Sequence, residues 1–466
     1  MTHYDLAIIG SGSGNSLITP YWDGRKVALI DGGVFGGTCL NVGCIPTKMF
    51  VFPAELATGA REARRLGIEL ELRGVQWRAI RDRIFSRIDA ISRDGRQYRA
   101  DELENVTLYE DYVRFTGAKS FVTGAGEEIH ADQVVIAAGS RALLPDIPGI
   151  TLPQVHTSDT IMRLDELPKR ILIIGGGYIA AEFAHIFGAF GSAVTLVNRS
   201  GGLLRSLDDT VSEAFTAEAA RQWEVVLDHT VASLTSNDDG SVHAVLDGAQ
   251  GRELDVDVVL VAVGRVPNTD RLAAAAAGLD LEADGRLVVD GFQRVLRNGS
   301  PVDGLWALGD VSNRFQLKHV ANHEARIVSH NLTHPEDLRA SDHRFVPAAV
   351  FTHPQVAVVG LTEAEALAKA EAEGFEVTVA VQQYGSTAFG WAMEDTTGFV
   401  KLIANQHTGT ILGAHIMGHE ASMIIQPVIQ GMSFGLDAQT MATGQYWIHP
   451  ALTEVVENAL LSLKTG

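Results

Sequence analysis

Positive charge is in short supply. The 466 residues hold 37 Lys and Arg against 57 Asp and Glu, a formal net charge of −20, and no Lys/Arg-rich run supplies a local patch, so a nucleic-acid partner is excluded. Cysteine is scarcer still, with Cys39 and Cys44 the whole complement. Two thiols cannot staple a secreted scaffold. They lack neighbouring ligands to complete a tetrahedral zinc site, so no metal is expected. No apolar run reaches the eighteen or so residues of a membrane span. The segment from Met1 to Asp5 lacks the basic stretch and cleavage site of a signal peptide. A soluble cytoplasmic protein with no membrane partner is therefore expected. Disorder is excluded as well, since 46% of the residues are hydrophobic and only 20% charged. The length corresponds to about three domains of roughly 150 residues.

What the chain does have is glycine in patterned places. The apolar run Leu6-Ala7-Ile8-Ile9 ends in Gly10-Ser11-Gly12-Ser13-Gly14-Asn15. A helix beginning Ser16-Leu17-Ile18-Thr19 is expected next, then the strand Val27-Ala28-Leu29-Ile30 and the acid Asp31. Strands that are apolar without alternation suit a parallel sheet covered on both faces. The same grammar returns once. Arg170-Ile171-Leu172-Ile173-Ile174 leads into Gly175-Gly176-Gly177-Tyr178-Ile179-Ala180, a helix through Phe187 stopped by Gly191, and the strand Val194-Thr195-Leu196-Val197. The two units, 165 residues apart from Gly10 to Gly175, make an internal duplication of function.

Two further buried strands end in glycine, Val134 to Gly139 and Val258 to Gly264, each ahead of a Pro-containing linker. The stretch Leu272 to Gly278, with five consecutive alanines, reads as an ordinary helix, and another helix runs from about Val320 to Leu332. From Pro347 onward, alternating strands and amphipathic helices without a glycine fingerprint mark a separate α+β domain. The predicted fold class is α/β, with two Rossmann-like dinucleotide-binding domains and a C-terminal α+β domain.

In a G-x-G-x-x-G loop the first glycine permits the turn, the second lets the backbone approach a pyrophosphate, and the third lets the helix pack on the strand. The phosphates then meet free N–H groups at the helix start. In the first unit Asp31, 21 residues after Gly10, is placed to bind ribose hydroxyls. Asn15 replaces the third glycine and Gly14 comes one position early, so the packing there must differ in detail. In the second unit Gly175, Gly177 and Ala180 fit the pattern, but Asn198 stands where an acid belongs, followed by Arg199 and Arg205. Losing the acid and gaining two guanidiniums favours a 2′-phosphate, hence NADPH over NADH.

The stretch Gly36-Gly37-Thr38-Cys39-Leu40-Asn41-Val42-Gly43-Cys44-Ile45-Pro46-Thr47-Lys48 holds both thiols. Positions five apart on an ideal helix lie roughly 7.5 Å apart along its axis, beyond disulfide reach. A bridge requires a distorted first turn, for which Gly43 and Pro46 leave room. A strained bridge in a reducing compartment is a redox catalyst rather than a staple. The bland alternative is two buried thiols that never pair. This stretch resembles the active-site signature of the flavoprotein pyridine nucleotide-disulfide oxidoreductases, the group of glutathione reductase and dihydrolipoamide dehydrogenase. The resemblance spans the chain through both fingerprints, Gly309-Asp310, and His449-Pro450 with Glu454. Lys48-Met49-Phe50-Val51, Gly390 to Asp395 and Gly444 to Pro450 point to one subgroup within it.

The resemblance implies an enzyme that reduces a small-molecule disulfide with FAD and NADPH. The expected FAD residues are Gly10, Gly12, Ser13, Asp31, Gly32, Gly36, Gly37, Thr38, Lys48, Gly139 and Asp310. For the nicotinamide nucleotide they are Gly175, Gly177, Tyr178, Arg199, Arg205 and Gly264. Cys44 is then the sulfur beside the flavin and Cys39 the accessible interchange thiol that attacks substrate. Lys48 steadies charge on the flavin, Glu182 pairs with Lys48, and Tyr178 is an aromatic gate, or else a core tyrosine. His449 and Glu454 form an acid–base pair, while His319, His323, His353 and His415 keep a structural default.

The resemblance also implies a homodimer in which His449 completes the neighbouring subunit's site. The implied domains are an FAD-binding domain at 1–150, an NADPH-binding domain at 151–276, a central segment completing the FAD site at 277–345, and a dimerisation domain at 346–466. Among relatives, a lipoamide enzyme carries an acid where Asn198 stands, and mercuric and large thioredoxin reductases need a further cysteine pair. Glutathione reductase needs a basic pocket, whereas the first fingerprint is followed by Tyr21 and Trp22 before its first base, Arg25, which fits a neutral, sugar-bearing disulfide. A flavin-binding assembly subunit without turnover is the alternative from another class.

Overall fold

The computed structural model describes residues 2–465, so the outermost domain bounds, 1 and 466, lie outside the described residues. Contacts divide the chain into two compact units. The first is built from residues up to Thr47, Ala79–Leu143 and Gly264–His343; the second from Lys48–Arg78, Leu144–Val263 and the chain from Arg344 onward.

The first unit centres on a largely parallel sheet. Strand β1 (Thr2–Ile9) lies between β2 (Val27–Ile30) and β3 (Glu128–Ile136), with Val106–Tyr109 beyond β2 and Ser300–Ala307 beyond β3, all parallel. Strand periodicity sends alternate residues to opposite faces. Ala7, Ile9, Ala28, Ile30, Val134 and Ile136 fill one core, and Leu6, Ile8, Val27, Leu29 and Val135 fill the other. This two-sided burial is why the strands read as unbroken apolar runs.

Two expected helices of this unit are absent. After the first fingerprint the chain forms only 3-10 turns at Gly14–Leu17 and Pro20–Trp22. Pro20 has no N–H to donate and forces Thr19 to an extended ψ of 170°. Trp22 is core, and Tyr21 is exposed with Arg25 stacked over its ring at 4.2 Å. The alanine run is likewise a succession of turns. Ala273 takes a left-handed φ of 54°, and Leu272, Ala274, Ala277 and Leu279 are all buried in the core. Their burial outweighs alanine's helix propensity.

Helices α1 (Gly37–Asn41) and α2 (Cys44–Glu62) follow β2 in sequence. In the second unit β4 (Arg170–Ile174) leads through Gly175-Gly176-Gly177 into α3 (Tyr178–Phe190) and β5 (Ala193–Asn198). Gly191 ends α3 in the left-handed region with φ 104°. These strands belong to a five-stranded parallel sheet, packed against the antiparallel strands Thr230–Ser236, Val242–Asp247 and Arg252–Val256. The last region of this unit is a five-stranded antiparallel sheet covered by helices, ending in α4 (Glu454–Ser462).

Candidate active site

The first glycine loop is shaped by contacts that tolerate no side chain. A Cβ on Gly10, whose φ is +113°, would lie 2.2 Å from the Ala137 carbonyl oxygen, and one on Gly37 would lie 2.8 Å from the Gly12 Cα. Gly14 does the work of the missing third glycine, since its Cβ would strike Ile8 and Ala137 at under 3 Å. Asn15 accepts a 2.8 Å bond from Arg99 Nε instead. Asp31 Oδ2 accepts from Ser11 N (2.8 Å) and Ser11 Oγ (2.5 Å), and Oδ1 accepts from Gly33 N (2.8 Å). A carboxylate has about four acceptor positions, so Asp31 retains capacity for ribose hydroxyls. Asp310 accepts from Ser140 Oγ at 2.6 Å, and Arg265 Nε donates to the same Oγ at 2.8 Å. Close backbone approach plus placed carboxylates fit a dinucleotide such as FAD. The anion cradle is loop backbone here, because the turn that follows is too short to carry a helix dipole.

The two cysteines sit on two helices rather than on one distorted helix. Gly36, at φ +100°, starts α1, and Asn41 Nδ2 ties it back to the carbonyls of Phe35 and Gly37 at 2.9 and 3.0 Å. The chain breaks at Val42-Gly43, and Cys44 opens α2. A Cβ on Gly43 would meet the Thr38 oxygen at 2.9 Å and Cys39 Cα at 3.3 Å, so only glycine allows the approach. Both cysteines are free thiols. A hydrogen bond from Cys44, helped by the Lys318 ammonium and by backbone N–H groups, outweighs burial and lowers the Cys39 thiol to about 7. Exposure and acidity order the pair differently. Cys44 is exposed and Cys39 half-buried, whereas the lowered pKa lies on Cys39, the thiol expected to attack.

In the second unit, Glu182 on α3 is half-buried and accepts from Phe351 N at 3.0 Å. Burial pushes its carboxyl up, and the charge of Lys48 opposes that shift. The Lys48 ammonium lies over the Phe351 ring. His185, one turn after Glu182, is pushed down to about 3 by burial, with His353, Lys48 and Arg61 adding to the shift. It is a neutral core histidine. Elsewhere in this unit His449 Nδ1 bonds Glu454 Oε1 at 2.7 Å, and Ala451 N donates to Oε2 at 3.3 Å. The histidine side chain is 72% exposed and the carboxylate 18%. The held carboxylate thus orients an imidazole whose Nε2 is left for chemistry.

The second glycine loop repeats the steric logic. A Cβ on Gly175, at φ +130°, would lie 2.3 Å from the Ala262 oxygen, while Gly177 faces open space. Tyr178, partly exposed, begins α3. Asn198 does not reach outward: its Nδ2 holds the next turn through Ser200 Oγ (2.9 Å) and Gly202 O (2.8 Å). Arg199 and Arg205 are exposed, and among the described residues neither is seen in an ion pair. That donor set suits a nucleotide bearing a 2′-phosphate.

Several residues at the site carry no sequence signal. Lys318 donates to Ser13 Oγ at 2.8 Å, and Glu324, fully buried, accepts from Gly309 N (2.7 Å) and Asn313 Nδ2 (2.9 Å). Lys318 acts on a partner far away in sequence, and Glu324 on groups 15 and 11 residues before it that no motif links to it. His415 is buried and His353 half-buried, and desolvation pushes both below the ordinary histidine range.

With this geometry in place, known proteins resemble the chain closely. The pyridine nucleotide-disulphide oxidoreductase family model matches residues 4–325, and the dimerisation-domain model of the same group matches 346–460. Mycothione reductase of Mycobacterium tuberculosis (strain ATCC 25618 / H37Rv) is 51% identical over 475 residues, covering 100% of both chains. Dihydrolipoyl dehydrogenase of Synechocystis is 32% identical, covering 98% of each. Among solved structures, the Cu(II) complex of the HOCl-induced flavoprotein disulfide reductase RclA from Escherichia coli aligns over 99% of each chain, with a TM-score of 0.83 and 28% identity.

Proposed function

Since the chain belongs to the pyridine nucleotide-disulphide oxidoreductase family, we propose that it reduces mycothione, the disulfide of mycothiol, with NADPH. The enzyme class and its cofactors, FAD and a nicotinamide nucleotide, are those of the family. The observation that carries the reading is the dithiol at the break between α1 and α2, with Cys39 lowered to about 7. The substrate rests on the 51% identity with the mycobacterial mycothione reductase against 32% with a dihydrolipoyl dehydrogenase.

Bound FAD supplies the two-electron relay between the nicotinamide and the cysteine pair. The Cys39 thiol gives its proton to His449 Nε2, its thiolate attacks one substrate sulfur to form a mixed disulfide, and the first thiol leaves with that proton. Cys44 sulfur then attacks Cys39 sulfur, its thiol proton passes to the departing second thiol, and the Cys39–Cys44 disulfide forms. The substrate disulfide gains two electrons and the pair loses two. Glu454 holds the imidazole in the required tautomer. Asp31 and Asp310 hold FAD, Arg199 and Arg205 the 2′-phosphate, and Lys48 beside Glu182 is the cation that steadies negative charge. The domain bounds 1–150, 151–276, 277–345 and 346–466 form part of this reading. So do a cytoplasmic location and a homodimer in which His449 serves the neighbouring subunit.

Purified holoenzyme assayed for NADPH oxidation with mycothione, glutathione disulfide and lipoamide tests the substrate. Turnover fastest with mycothione is expected, and preference for either other disulfide overturns it. Cys39→Ser and Cys44→Ser are expected to abolish disulfide turnover while leaving NADPH-to-dye electron transfer. Full disulfide turnover by Cys44→Ser sinks the scheme, and no turnover in any enzyme assay points to an assembly subunit.

A further inference from the structure

The first unit holds a cluster of side chains of metal-ligating type, apart from the thiols. Strands β1 and β3 are parallel, and their register sets His3 opposite His130. Asp132, two residues on, shares a face with His130. These three residues each present a ligand atom within 4.8 Å of the other two. His3 Nε2 is 3.0 Å from Asp132 Oδ1, and the two imidazole rings stand 5.7 Å apart, tilted by 34°. The third strand of this edge orients the group: Ser120 lies opposite His130 in the antiparallel pairing, and its Oγ is 3.0 Å from His130 Nδ1. One nitrogen of His130 is thereby engaged, and Nε2 is the one left to coordinate. Lys119 is close, but its ammonium takes the backbone carbonyl of Asp132 at 3.0 Å, not the carboxylate.

We propose that His3, His130 and Asp132 bind a first-row divalent cation of the Cu²⁺, Ni²⁺ or Zn²⁺ class. Two imidazoles and one carboxylate are borderline donors that suit these ions and not Mg²⁺ or Ca²⁺, and copper binds most tightly in the usual order. Ser120 takes the place of the outer-shell partner that metal-bound histidines regularly have. The competing reading is an exposed His3–Asp132 pair, with 56% and 59% of the two side chains accessible. That reading accounts for two of the residues and leaves the placement and orientation of His130 without a role. A bound ion links the first residues of β1 to β3 across the sheet, so it stabilises the fold in proportion to its occupancy.

The test uses FAD-loaded enzyme with Cys39 and Cys44 alkylated, so that thiolates do not compete for the ion. Cu²⁺ is added and followed by electron paramagnetic resonance, and Zn²⁺ by calorimetry. Wild type is expected to take up one equivalent of copper with nitrogen hyperfine structure from imidazole. His3→Ala and His130→Ala are each expected to weaken binding by at least about tenfold, on the scale of losing a site's supporting group. Ser120→Ala is expected to weaken it less, and disulfide turnover of the unalkylated variants is expected to match wild type. Equal stoichiometry and affinity in wild type and both histidine variants, or no binding by wild type, overturns the proposal.

Discussion

At the scale of single residues, acidity is what the fold adjusts. The largest influence lowering Cys39 is the hydrogen bond from Cys44, with Lys318 a smaller one. Cys44→Ala is therefore expected to move the pH midpoint of Cys39 alkylation from about 7 up toward the ordinary thiol range, and Lys318→Met to raise it less. Alkylation rates followed by mass spectrometry across pH 5 to 10 check both. His185 also has its pKa lowered, but there burial disfavours the charged form. Its folded pKa of about 3 lies below the ordinary histidine value of 6.5, so the folded state binds fewer protons than the unfolded chain between those limits. Its contribution to stability is whole above 6.5 and is lost as pH falls toward 3, by about 2 kcal/mol at pH 5. The melting temperature of wild type is thus expected to drop more between pH 7.5 and 5 than that of His185→Leu. Equal drops would exclude this role.

At the scale of elements, glycines decide what the helices and strands can approach. Gly43 lets α1 and α2 meet end to end with the two thiols in hydrogen-bond reach, although the spacing in sequence looks wrong for one helix. Gly43→Ala forces the Thr38 carbonyl away from its 2.9 Å approach, and a lower melting temperature with a raised Cys39 midpoint is expected. Gly10→Ala is more severe, because its Cβ would sit 2.2 Å from the Ala137 oxygen at a φ of +113°. The purified variant is expected to hold little or no FAD, read from the flavin absorbance per chain. Element type was legible where burial and period agree, as in β1 and α3. It was not legible after Gly14 or through Ala273–Ala277, where Pro20 and the burial of Leu272, Ala274, Ala277 and Leu279 override local propensity.

At the scale of the whole molecule, the reading that awaits a test is the partner subunit. His449→Gln is expected to slow thiol release by roughly 10²–10⁴-fold. If the histidine serves the neighbouring subunit, a hybrid of one Cys39→Ser and one His449→Gln chain contains one site with an intact cysteine pair and an intact imidazole. Co-expressed, separately tagged chains purified as hybrids should regain about half the wild-type rate per dimer. A hybrid as slow as its parents means that each histidine serves its own chain. The sequence by itself determined the glycine loops, the paired thiols, the replacement of an acid by Asn198 and the family to which they point. Each is a local pattern whose chemistry depends on residues close along the chain. Only the tertiary structure decided which cysteine is acidic, that Ser140 and Asp310 bond, that Glu324 supports Gly309, and that His3 faces His130. These depend on side chains brought together by strand register and burial, and the distance between them along the chain carries no record of it.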